Sequence, residues 1–245
     1  AFERLRGMYA FCFIGCDGRT WLVRDGFGIK PLYWDDGGNG NPGPFRFASE
    51  LRAFDANGEA SLQRDFAEQV LSLGYSLSES AQQRRASERV QPGEVARFTG
   101  GAFSESTPYP SKDFVGLKPI TGSEDEVLVT LDGILEDSVK VHQRSDVPYG
   151  LFLSGGIDSS AIATLMSRLN ERPVTAFTCG FDAPEARDER GAAERVAKAL
   201  NLDWRETTFG EEDFWRIAPQ VANFLDDPTT DYACLPTYKL AEAAK

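Results

Sequence analysis

Three serines, two glycines and one aspartate fall in seven consecutive residues, Ser154-Gly155-Gly156-Ile157-Asp158-Ser159-Ser160. Glycines at 155 and 156 let an anion approach the backbone with no Cβ in the way. The hydroxyls of Ser154, Ser159 and Ser160 add donors. Asp158 is the odd member, because a carboxylate beside a phosphate repels it unless a cation lies between them. Magnesium suits that place, since it takes one or two carboxylates together with phosphate oxygens. On the loop alone, an ordinary turn with a Ser or Asp helix cap remains open as the plainer reading. The stretch is not a nucleotide P-loop, which needs a Lys after its last glycine, nor a G-x-G-x-x-G fingerprint.

The flanks set the geometry. Leu151-Phe152-Leu153 is apolar and uncharged, the mark of a strand buried on both faces. Ala161 to Leu169 reads as a helix with apolar residues at 162, 165, 166 and 169. A strand that turns through glycines into a helix aims free N–H groups and the positive end of the helix dipole at one point. Downstream, Val174 to Gly180 reads as a second buried strand, 188–200 as a helix, Trp204 to Thr208 as a strand and 211–224 as a helix. This alternation predicts a parallel sheet with helices on both faces and ligands at the carboxyl ends of its strands. Leu153 and Cys179 then end on the same rim.

Upstream, Ser123 and Glu126 form a capping box ahead of a helix that is apolar at Val127, Leu128, Leu131, Ile134, Leu135 and Val139. His142, near its end, is the only histidine. A His-based triad or a multi-histidine metal site is therefore excluded within this chain, and His142 reads as a surface or cap residue. The first hundred residues differ in kind. Met8 to Ile14 and Thr20 to Val23 flank Asp17-Gly18 as a hairpin, Ile29 to Trp34 and Phe45 to Ser49 read as strands, 35–44 as a loop and 50–54 as a short helix. Thr107 to Ser123, with Pro108, Pro110, Pro119 and Gly122, reads as a linker.

The 245 residues, 41% hydrophobic and 26% charged, have the balance of a globular protein with one large or two ordinary domains. A net charge of −12 argues against nucleic acid and an anionic membrane surface as partners. No signal peptide or membrane-length apolar run is visible, and Cys12, Cys16, Cys179 and Cys234 lack metal spacing. Reduced thiols, and hence the cytoplasm, are expected.

Ser154-Gly-Gly-Ile-Asp-Ser-Ser160 resembles the S-G-G-x-D-S-S pyrophosphate loop of the N-type ATP pyrophosphatases. Within that superfamily, Ser145-Asp146-Val147-Pro148-Tyr149-Gly150 resembles the S-D-V-P-x-G that precedes the loop in asparagine synthetases. Asp226-Asp227-Pro228 is similar to that family's D-E-P, with Asp for Glu, and Leu235-Pro236-Thr237-Tyr238 to its x-P-T-Y. Arg24-Asp25-Gly26-Phe27-Gly28-Ile29-Lys30-Pro31-Leu32-Tyr33 resembles R-D-x-x-G-x-x-P-L-Y of class II glutamine amidotransferase domains, and Phe47-Ala48-Ser49-Glu50-Leu51-Arg52-Ala53 their F-A-S-E-x-x-A. Gln91-Pro92-Gly93 is similar to the P-G that closes that domain.

The resemblance implies an α/β with α+β fold. It places the later portion of an antiparallel, Ntn-hydrolase-type amidotransferase domain at 1–110, a linker at 111–123, and the first portion of a parallel ATP pyrophosphatase domain at 124–245. It implies ATP bound by Phe152, Leu153, Ser154, Gly155, Gly156, Asp158, Ser159, Ser160 and Cys179, with adenine and ribose against Phe152 or Leu153 and Cys179, and Mg2+ on Asp158. It implies L-glutamine and L-aspartate as substrates, a ligase that forms asparagine through a β-aspartyl adenylate, and a homodimer as the assembly to test. The family's nucleophile is an amino-terminal cysteine, which Cys12 and Cys16 do not replace, so no catalytic residue is assigned here. Arg24 and Asp25 are expected to be scaffold, with a functional ion pair as the sharper alternative. The family's S-G-D/E-G-x-D-E motif, with a second magnesium carboxylate, is not among these residues, so the chain is expected to be a fragment. An adenylating cyclase of the same superfamily and a non-catalytic nucleotide-binding module are the alternatives.

Overall fold

In the computed structural model of the protein, the described residues are 5–35, 45–54, 64–75, 87–108, 121–183, 185–186, 188–226 and 229–245. Most of the expected loop at 35–44 and of the linker at 111–123 lies outside them, as do Asp227 and Pro228. The chain divides into two compact units, Ala1–Pro119 with Leu225–Thr230, and Ile120–Phe224 with Asp231–Lys245.

The first unit is antiparallel. Strands β1 (Ala10–Ile14), β2 (Arg19–Arg24), β6 (Glu94–Thr99) and β7 (Ala102–Pro108) form one sheet in the order β1-β2-β6-β7. Strands β3 (Tyr33–Asp35), β4 (Arg46–Ala48) and β5 (Glu88–Arg89) form a second, with β3 in the middle. A 3-10 turn at Leu51–Phe54 and helix α1 (Arg64–Leu73) complete the unit. Its core joins Leu22, Leu32, Trp34, Val90, Ala96 and Phe98. The Trp34 ring meets Phe98 edge-on at 4.9 Å and stacks on Phe103 at 5.2 Å.

Two expectations change here. The strand expected at Ile29 to Trp34 shrinks to Tyr33–Asp35, because the N–H groups of Phe27, Ile29 and Lys30 turn inward to the Asp25 carboxylate and cannot feed a ladder. Thr107 and Pro108, expected in a linker, belong to β7, where Thr107 pairs with Val95. An edge strand tolerates the proline, whose missing N–H costs no ladder bond there.

The second unit opens on α2 (Glu124–His142). The capping box forms: the Ser123 hydroxyl accepts from Glu126 N at 3.3 Å, and the Glu126 carboxylate accepts from Ser123 N at 2.8 Å. Its apolar stripe is not buried among the described residues: Leu128, Leu131, Ile134 and Leu135 are all exposed. His142 closes the helix, with Nδ1 at 2.7 Å from the Ser138 carbonyl, an exposed cap contact.

Strands β8 (Gly150–Phe152), β9 (Thr175–Phe181) and β10 (Asp203–Phe209) make a parallel sheet in the order β10-β9-β8. Helices α3 (Ile157–Leu169) and α4 (Arg190–Ala199) cover one face through Ala163, Met166, Ala193 and Ala197. Helices α5 (Glu211–Phe224) and α6 (Cys234–Ala244) cover the other through Ile217, Val221 and Leu235 against Phe209. The fold is thus mixed, with antiparallel sheets in the first unit and a parallel α/β sheet in the second. Strand β8 departs from its expected burial on both faces: Leu151 and Leu153 are buried against α3, while Phe152, pointing the other way, is 44% exposed. Among the described residues no helix is long and apolar enough to cross a membrane.

Candidate functional site

The site grows from the last turn of the β8 backbone. Leu153 N–H donates to the Phe177 carbonyl at 2.8 Å, which ties the end of β8 to β9 before the chain leaves the sheet. Helix α3 then starts at Ile157, four residues before the start read from the sequence, with Gly156 as an N-cap that makes no side-chain bond. Asp158, Ser159 and Ser160 therefore stand in its first turn and not in a loop. An acidic residue there is favoured by the helix dipole, which explains the earlier start. The first intrahelical bond is Ser160 N–H to the Gly156 carbonyl at 3.0 Å, so the N–H groups of Ile157, Asp158 and Ser159 have no acceptor within the helix. Gly156, Ile157 and Asp158 are exposed.

The two glycines do different work. Gly155 has φ +75°, and a Cβ on it would lie 2.7 Å from Ala192 C and Ala193 N of α4. Its smallness serves the packing of the turn on α4. A Cβ on Gly156 would meet only the Ser154 hydroxyl, at 3.3 Å. Gly156 is the one that leaves the backbone open to a ligand.

The serines close on one another. Ser154 Oγ lies 3.0 Å from Ser159 Oγ and accepts from Gly156 N–H at 3.3 Å. Ser159 Oγ also accepts from Ser154 N–H at 3.4 Å and donates to the Gly156 carbonyl at 3.2 Å. Two of the three expected hydroxyls thus meet in the turn. The Ser160 side chain sits one position further along the helix. Asp158 stands at the lip, and among the described residues no three His, Cys, Asp or Glu side chains group together as a metal cage. One carboxylate beside a set of N–H and O–H donors fits a cation that arrives with a polyanion better than one held by protein alone.

The Phe177 carbonyl that accepts from Leu153 N–H lies two residues before Cys179, which the sequence placed at a strand end but which stands inside β9, paired with Thr207. Cys179 is half-buried, and burial holds its thiol pKa above the ordinary value. Phe152 points to the opposite face of the sheet from Leu151 and Leu153. Its backbone, and not its ring, lies near the turn.

Sequence reasoning missed two groups. Arg190 lies over Gly180 just past Cys179 and is ion-paired with Asp188 at 2.7 Å. Thr178, buried in β9, donates from Oγ1 to the Leu153 carbonyl at 2.7 Å and accepts from the Trp204 indole at 2.9 Å. A hydroxyl between Phe177 and Cys179 in a strand read as buried was the available signal. The D-E-P-like segment lies elsewhere: Asp226 belongs to the first unit, where its carboxylate accepts from Leu51 N–H at 3.0 Å.

The chemistry of this corner agrees with what the chain resembles. Residues 130–245 match the asparagine synthase family, and residues 1–109 match the glutamine amidotransferase domain family. Asparagine synthetase [glutamine-hydrolyzing] 1 of Bacillus subtilis is 31% identical over 100% of this chain and 38% of its own length. A putative asparagine synthetase [glutamine-hydrolyzing] of Mycobacterium bovis is 32% identical over 99% of this chain and 37% of its own. The amidase chyE of Penicillium rubens is 29% identical over 98% of the chain and 37% of its own length. The chain therefore spans less than two-fifths of the length of these curated relatives. The chain is thus similar to the glutamine-hydrolysing asparagine synthetases along its length, with a glutamine amidotransferase domain match at its start and an asparagine synthase match at its end.

Proposed function

We propose that this chain is part of a glutamine-dependent ligase that adenylates the side-chain carboxylate of L-aspartate with ATP and forms L-asparagine. Residues 1–110 are the later portion of the domain that releases ammonia from glutamine, 111–123 the linker, and 124–245 the first portion of the ATP pyrophosphatase domain. The observation that carries the reading is the α3 N-terminus, open at Gly156 and with N–H groups of Ile157, Asp158 and Ser159 that the helix leaves without acceptors. Those groups and the hydroxyls of Ser154, Ser159 and Ser160 bind the β- and γ-phosphates, which leave as pyrophosphate when the carboxylate oxygen attacks the α-phosphorus. Ammonia then displaces AMP from the acyl carbon. The backbone around Phe152, Leu153 and Cys179 receives the adenosine. Asp158 would hold Mg2+, which would supply neutralisation of the phosphate charge. The site works by positioning and charge balance and needs no nucleophilic side chain.

In the complete gene product, amide-labelled glutamine, aspartate and ATP are expected to give labelled asparagine. Asp158→Ala is expected to reduce ATP–pyrophosphate exchange by at least about a hundredfold. Exchange retained in that variant removes Asp158 from the site. The amidase-named relative, matched over 98% of the chain, favours a second reading in which the same adenylation serves another acceptor. Labelled asparagine in the first assay overturns it.

A further inference from the structure

We infer that Thr178 and Trp204 are positioning residues for the phosphate-binding turn, acting through one peptide plane. This inference rests on the function proposed above. Thr178 is 2% exposed in the middle strand of the sheet. A hydroxyl carries a single proton, and here its use is determined. The indole of Trp204 can only donate, and the Leu153 carbonyl can only accept. Trp204 Nε1–H therefore donates to Thr178 Oγ1 at 2.9 Å, and Thr178 O–H donates to the Leu153 carbonyl at 2.7 Å. The link crosses all three strands, from β10 through β9 to the residue that follows β8.

Its consequence lies on the far side of that carbonyl. The Leu153 C=O and the Ser154 N–H belong to one planar trans peptide and point in opposite directions. Fixing the carbonyl under the sheet fixes the N–H toward the turn. There Ser154 N–H donates to Ser159 Oγ at 3.4 Å, Ser159 Oγ lies 3.0 Å from Ser154 Oγ, and Ser154 Oγ accepts from Gly156 N–H at 3.3 Å. A run of hydrogen bonds joined by one peptide plane thus leads from a partly buried indole to the backbone of the turn. Leu153 N–H is held separately by Phe177 at 2.8 Å, so the peptide on its other side is the one left for Thr178 to orient. Without the hydroxyl, the carbonyl is free to rotate, and the Ser154 N–H turns away from the Ser159 hydroxyl.

The test uses Thr178→Val, which removes the hydroxyl at nearly constant shape, Thr178→Ser, which restores it, and Trp204→Phe, which removes the donor at the other end. In the complete gene product, ATP affinity is measured by calorimetry and ligand-free amide hydrogen exchange is read peptide by peptide. Thr178→Val is expected to weaken ATP binding about tenfold and to speed exchange over 154–158 while β6 of the first unit is unchanged. Thr178→Ser is expected to stay within about threefold of the parent in both readouts. Trp204→Phe falls between them and decides the matter if Thr178→Val does not fold. Parent-like affinity and exchange in Thr178→Val overturn the inference. So does equal weakening by Val and Ser, or faster exchange spread evenly over the second unit, which marks a merely structural role. If the parent itself binds no ATP, the proposed function fails, and the exchange measurement alone still decides the relay.

Discussion

Two turns in this chain follow a strand and gather backbone N–H groups, and they end in opposite ways. After β2, the N–H groups of Tyr9, Phe27, Ile29 and Lys30 converge on the carboxylate of Asp25, which is 1% exposed. Arg24 takes the matching carbonyls, donating to Gly28 at 2.7 Å, Val90 at 2.7 Å and Lys30 at 2.8 Å. The two side chains bond backbone and not each other, so the scaffold reading stands and a functional ion pair is not what these bonds build. After β8, the first-turn N–H groups of α3 meet no built-in carboxylate, and Asp158 faces solvent at the lip. The first turn carries its own anion and is closed. The second is open: among the described residues the side chains that bond its N–H groups are serine hydroxyls, which an arriving phosphate can displace. An N–H cluster is scaffold when the chain supplies the acceptor and a binding site when it does not.

The largest expected effect tests the closed turn. Asp25→Ala leaves a buried cluster of donors without an acceptor and is expected to cost about 3–5 kcal/mol in urea unfolding, while Asp158→Ala changes stability by less than about 0.5 kcal/mol. Equal costs would erase the contrast between the two turns. Gly155→Ala comes next, at about 2 kcal/mol, because it combines φ +75° with contacts of 2.7 Å to the α4 backbone. Gly156→Ala is expected to fold normally and to bind ATP more weakly, which calorimetry with thermal melting separates.

The smallest effect is acid-dependent. Burial pushes the Asp25 carboxyl upward, but its four N–H donors outweigh that and hold its pKa below the ordinary value. Asp213, bonded first to Lys239 and then to Arg216, is lowered from 3.8 to about 2. A carboxyl whose pKa is depressed by folding stabilises the native state above its ordinary pKa and loses that contribution as pH falls through the folded one. For Asp213 the loss runs from about pH 4 to about pH 2. Urea midpoints taken from pH 7 downward are expected to fall in that range. Asp213→Asn is expected to flatten the part that belongs to the second unit.

Much of this was legible before the structure. The alternation of strands and helices from Leu151 onward predicts the parallel sheet, because a helical crossover between successive strands sets them side by side in one direction. The capping box at Ser123 and Glu126 and the surface reading of His142 follow from local bonds alone. What misled was context. Thr107 and Pro108 read as linker by composition, yet an edge strand accepts them. Ile29 to Trp34 has strand propensity, but a buried carboxylate sixteen residues from its partner Tyr9 takes the donors that a strand would use.

The sequence by itself determined the kinds of groups at the turn: two glycines, three hydroxyls and one carboxylate in seven residues. Their types and order suffice to specify a strand, a turn and a helix with an anion-seeking end, since those depend on neighbours along the chain. Tertiary structure alone decided how the groups divide the work. Gly155 proved to be packing because α4 passes 2.7 Å from where its Cβ would be, and Gly156 proved to be the open position because, among the described residues, only a serine hydroxyl lies there. Thr178 and Trp204 lie 25 and 51 residues from Leu153, yet Thr178 bonds its carbonyl and Trp204 bonds Thr178, because the crossover connections set three distant strands side by side. Contacts of that range leave no periodic trace in a sequence, and only the folded sheet brings them together.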